Sequence, residues 1–144
     1  MTNHNFKPPT GHVNLSPVMF KMHSHDYFKA YLDFEKPGRF SPVPYFLCCR
    51  AIELALKALH LESRSQKEVK EDYWHDLLAS YDDLLQAQKT LSAQERELLG
   101  AADEIYRKKE FEYLNVHDAA TACSRFPDLD HLDALARKIT GYDA

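Results

Sequence analysis

Glycine is scarce, with four in 144 residues, and that alone removes several chemistries. A phosphate-cradling loop, a dinucleotide fingerprint or a nucleophile elbow each needs glycines at fixed offsets. None of these patterns occurs, nor does an HExxH metal helix, so nucleotide hydrolysis and serine-hydrolase chemistry are not expected. Cysteine is as sparse: Cys48, Cys49 and Cys123. An adjacent pair inside a helix-like stretch suits neither a disulfide framework nor zinc-ligand spacing. The three therefore read as small buried thiols in a reducing compartment. Positive charge is not in excess, because 18 basic residues face 22 acidic ones for a net charge of -4. Any contact with nucleic acid has to be local. No apolar run approaches the roughly 18 residues of a membrane span, and MTNHNFKPPTGHVNL lacks the layout of a signal peptide. The expectation is a cytoplasmic protein with no membrane partner. Repeats, low-complexity tracts and strand-pairing signals are also missing.

What the chain does have is apolar residues at helical spacing. With 44% hydrophobic and 12% aromatic residues, it can bury one sizeable core, the usual content of a single domain. Residues 1–22, carrying Pro8, Pro9, Gly11 and Pro17, read as an extended or partly ordered arm, and residues 23–144 as one helical domain. A short helix is expected over Asp26–Lys36, stopped by Pro37-Gly38, and a long one over Pro42–Leu61 opened by Ser41 and its prolines. A charged connector, Glu62–Asp72, leads to WHDLLASYDDLLQAQ, an amphipathic helix with Trp74, Leu77, Leu78, Tyr81, Leu84 and Leu85 inward. Ser92-Ala-Gln-Glu95 fits a capping box for a helix ending near Lys109, and residues 111–124 read as irregular. Asp128 caps a last helix over Leu129–Ile139, with Gly141 beyond it. The fold class is all-α, an up-and-down bundle of four to five main helices.

YFLCCRAIELALKALHLE, residues 45–62, poses the main question. On a 3.6-residue helix Arg50, Glu53, Lys57 and His60 form one narrow row, and almost everything else is apolar. Such a helix is enclosed on most of its circumference, at the centre of a bundle. Glu53 four residues before Lys57 is a favourable intrahelical pair, stabilising by about 0.2–0.5 kcal/mol. The row is either a solvated stripe on the one open face or a polar groove or dimer face.

The segment AIELALKAL (51–59), the charged connector, and His75-Asp76-Leu77 opening a helix that runs to Asp83-Leu84-Leu85 together resemble HEPN domains over about residues 41–140. The resemblance implies a helical bundle, commonly dimeric, of the kind found in prokaryotic defence and toxin-antitoxin proteins. Many such domains are metal-independent ribonucleases using an Arg-x4-6-His motif; others are binding or scaffold modules. Arg125-Phe-Pro-Asp-Leu-Asp-His131 meets the spacing. Its histidine could move the 2′-hydroxyl or leaving-group proton while arginine stabilises charge on the phosphate. Phe126-Pro127 stands where that family usually has a polar residue. The favoured expectation is therefore a non-catalytic module, a homodimer engaging a nucleotide, RNA or partner protein near Arg50, Glu53, Lys57 and His60, without a cofactor. The metal-independent endoribonuclease with catalytic Arg125 and His131 is the alternative.

Other candidates each have a structural reading beside the functional one. His75 is a packed helix-start residue or a site residue. Arg107 and Lys108, followed by Lys109, Phe111 and Tyr113, offer a phosphate-and-base surface or merely complement a helix dipole. Arg107 with Tyr113 is a further Arg–Tyr pair on that segment. His23-Ser24-His25-Asp26 has metal-ligand residue types without a second ligand pair, and no metal is expected there.

Overall fold

A computed structural model describes residues 16–113 and 116–143. Among these the chain is all-helical: α1 (Ser16–Asp33), α2 (Val43–His60), α3 (Gln66–Tyr73), α4 (Leu77–Asp82), a 3-10 turn (Gln86–Gln88), α5 (Ala93–Tyr106), α6 (Val116–Ala120) and α7 (Leu129–Thr140). The central helix is α2, packed against α1, α4, α5 and α7. The sequence dictates this, because Cys48, Cys49, Ala51, Ile52, Ala55 and Leu56 bury different sides of the same helix. Small residues let neighbours approach closely. At one such point Ser24 on α1 is wholly buried and donates its hydroxyl to the Ala51 carbonyl at 2.6 Å. Phe28, Ile52, Leu56, Leu77, Leu99, Ile105, Leu132 and Leu135 fill the main core, and Leu61, Val69 and Tyr73 form a satellite under α3.

Two helix starts match expectation at the level of hydrogen bonds. Ser92 and Glu95 exchange side-chain and backbone bonds at the head of α5. Asp128 accepts from Asp130 and His131 at the head of α7, which ends at Gly141 with φ 65°. At α2 the expected Ser41 cap is displaced: Pro42 heads the helix without a side-chain cap, and Ser41 only accepts from the Val43 amide at 3.3 Å.

Three expectations need correction. The arm was expected to run through residue 22, but α1 begins at Ser16, and residues 1–15 lie outside the described residues. The inward row of α1 is Ser24, Phe28 and Tyr31, so a serine hid its first half from a hydrophobicity reading. The charged connector contains α3, capped by Ser65 and fixed by Val69 and Tyr73, the two buried residues of its eight. The amphipathic helix from Trp74 to Gln88 is broken: α4 holds only Leu77–Asp82, with Asp76 as its cap. Trp74 and Leu85, expected inward, are 60% and 68% exposed. Among the described residues of the region expected to be irregular, α6 is regular, and positive φ at Ala122 and Cys123 turns the chain after it.

Cys48 and Cys49 are buried free thiols and Cys123 is half-buried. Burial pushes both adjacent thiols up, well away from reactivity. No described helix is long and apolar enough to cross a membrane.

Candidate functional site

The polar row of α2 is not a solvated stripe. Glu53 is 3% exposed, a carboxylate at the core boundary, and a buried charge is tolerated only when partners surround it. Four groups do so. Arg50 donates to Oε2 at 2.7 Å, His75 Nδ1 to Oε1 at 2.5 Å, the Tyr106 hydroxyl to Oε1 at 3.3 Å, and the Lys57 ammonium lies 3.8 Å from Oε2. The acid on α2 thus ties together α2, the turn before α4, and α5.

Glu53, Arg50, Lys57 and His75 border a groove of about 480 Å³ between α1, α2 and α3, lined on its polar side also by His23 and Lys70 and on its apolar side by Phe20, Leu54, Val69 and Trp74. A neighbouring hollow of about 260 Å³ shares Tyr27, Arg50 and His75 and adds Tyr106 and Lys109. Arg50 and His75 therefore stand on the ridge between two cavities.

Electrostatics set the character of each cation. Burial lowers the Lys57 ammonium from its ordinary value, with Glu53 opposing and Arg50 and Lys70 adding to the fall. Lys57 is held in place by a 2.6 Å bond to the Trp74 carbonyl. Burial acts against the Arg50 guanidinium too, but Tyr106 and Glu53 outweigh it and hold it charged, and its plane lies over the Tyr27 ring. Burial and the Glu53 charge raise the Tyr106 hydroxyl, which Arg50 partly offsets, so it remains a proton donor.

Trp74 occupies φ 49°, ψ -110°, a strained backbone for a bulky residue. The strain has a local reason. It ends α3, aims the Trp74 carbonyl at Lys57 and leaves the indole at the groove mouth beneath Lys70, 5.6 Å away, and edge-on to His75.

The sequence candidates divide accordingly. Arg50, Glu53, Lys57 and His75 come together in the groove. His60 does not: it is buried, bonded through Nε2 to the Ser80 carbonyl at 2.7 Å and stacked on Tyr73. Arg107 and Lys108 do not either; both, just past the end of α5, pair back with its Glu104, and it is Lys109 that reaches the second hollow. Tyr113 is exposed beside them.

Arg125 is paired with Glu110 and with both oxygens of buried Asp118, charge-assisted bonds that fix its guanidinium in place. His131 is exposed on α7, lining a shallow hollow with Glu95, Glu97 and Leu98 that Arg125 does not line. The cluster near His23 separates as well: His23 faces the groove, Ser24 bonds α2, and His25 bonds the Thr140 carbonyl at 2.8 Å. No metal-holding group of three or more ligands occurs among the described residues.

Residues that sequence reasoning missed are Tyr27, Lys70, Trp74 and Tyr106. Only Trp74 carried a signal, as the single tryptophan beside His75 at a helix boundary. Compared with family models, curated proteins and solved structures, the chain finds no match.

Proposed function

We propose that this protein is a binding module for a phosphate-bearing ligand of the nucleotide or RNA class, held in the groove between α1, α2 and α3. One observation carries the reading: three cations, Arg50, Lys57 and Lys70, and the single tryptophan converge on one concavity. Phosphate recognition needs fixed N–H donors, and base recognition without sequence readout needs an exposed aromatic face. The strained backbone at Trp74 supports it, since such strain concentrates at binding sites.

The resemblance to HEPN domains adds a homodimer and a role in prokaryotic defence or toxin-antitoxin systems to this proposal. Val18, Met19 and Met22, exposed on α1, are apolar surface available to such an assembly.

The indole makes the test direct. Adenosine monophosphate or a short oligoadenylate is titrated while tryptophan emission is followed. Saturable quenching is expected, weakened about tenfold or more by Arg50→Ala, the scale of one lost charged hydrogen bond. Arg125→Ala should leave it unchanged. Absence of quenching, or indifference to Arg50, would refute the reading. Incubating wild type and His131→Ala with mixed RNA and a chelator tests the ribonuclease alternative, which requires cleavage by the wild type alone. Native mass of the same samples tests the dimer.

A further inference from the structure

One group in the groove is built beyond what ligand binding requires. His75 is held from behind by Glu53, Nδ1 to Oε1 at 2.5 Å. That carboxylate also accepts from Arg50 and Tyr106, so its oxygens act as acceptors and His75 is the donor in the shared bond. With Nδ1 committed to Glu53, the neutral form of the ring has its lone pair on Nε2, the edge turned away from the buried acid. The ring is 32% exposed and lines both hollows beside Arg50.

Resting on the reading of the groove as a phosphate site, we propose that His75 accepts a phosphoryl group on Nε2 from a small donor of the acyl phosphate or phosphoramidate class. Glu53 acts as the positioning residue, and Arg50 and Lys57 meet the phosphoryl oxygens. In the step, the Nε2 lone pair forms the N–P bond while the bond from phosphorus to the donor's leaving group breaks. Its electron pair departs with a carboxylate, or with ammonia from zwitterionic phosphoramidate. Nothing is oxidised or reduced. The Nδ1 proton stays in the bond to Glu53, whose negative charge stands opposite the positive charge the ring gains as N–P forms.

Other histidines provide the internal comparison. In His25 and His60, Nε2 is committed to the Thr140 and Ser80 carbonyls. His23 and His131 are exposed, and among the described residues no buried carboxylate bonds their rings.

The experiment treats the full chain with potassium phosphoramidate at neutral pH and maps phosphohistidine by mass spectrometry under conditions that preserve the N–P bond. His75 should be labelled at least tenfold faster than His23 and His131 in the same sample, on Nε2 by 31P NMR. Arg50→Gln should slow His75 at least fivefold without changing His131, a ratio that loss of folding would not produce. Equal or slower labelling of His75 overturns the proposal. The adenosine monophosphate titration, run in parallel, separates the two readings. Nucleotide binding without selective labelling overturns only the acceptor, and selective labelling without nucleotide binding overturns only the nucleotide. Failure of both overturns both.

Discussion

Glu53 holds three cationic or proton-donating neighbours on α2 and the turn before α4, and its removal would strand them. Glu53→Ala should therefore cost about 3–5 kcal/mol, the scale of breaking a buried ion pair rather than an exposed one; a urea midpoint corresponding to less than about 1 kcal/mol would place Glu53 at the surface. Asp103 makes a different kind of prediction. It is buried on α5 and accepts from the Leu77 amide at 2.8 Å. Burial lifts its carboxyl from the ordinary 3.8 to about 6, with the Leu77 N–H opposing and Asp76 adding to the rise. The folded chain thus binds this proton more tightly than the unfolded one. The group's contribution to stability is full below pH 3.8 and is lost as pH rises through about 6. Asp103→Asn keeps an oxygen for Leu77 and removes the charge. It should be more stable than the parent at pH 7, on the order of 1 kcal/mol, with the advantage shrinking towards pH 4. Urea unfolding of both proteins across that range checks it, and parallel pH profiles would refute it.

Helix ends explain why some elements were readable and others were not. A capping box is a local pattern whose partners lie three residues apart, so Ser92 announced α5 correctly. Ser92→Ala should cost about 1 kcal/mol in thermal or chemical unfolding, and no change would mean that α5 is held by packing alone. By contrast, α3 has two buried residues in eight, too few for periodicity to reveal. The long helix expected from Trp74 failed because Asp76 caps a new start after the strained turn at Trp74. Its hydrophobic pattern was real, but it ran across a break that depends on Lys57 and Asp103 bonding the backbone there.

Across the whole molecule, α2 packs against both α1 and α7, which are themselves joined by the Tyr31 hydroxyl donating to Asp133 at 2.6 Å. Leu132→Ala, at a fully buried position of α7, should cost about 2–5 kcal/mol, whereas Leu85→Ala should stay within about 0.5 kcal/mol. Comparable losses from both would contradict the break after α4. The sequence by itself determined the all-helical class, the central position of α2, the caps of α5 and α7 and the polar row through Arg50, Glu53 and Lys57, because each follows from spacing along one helix. Tertiary structure alone decided that the row is a buried network rather than a wet stripe, since the partners His75 and Tyr106 stand 22 and 53 residues away from Glu53. It also decided that His60 is structural while Tyr27, Lys70 and Trp74 face the groove. Burial of a charge depends on what other elements bring to it, and separation along the chain carries no record of that meeting.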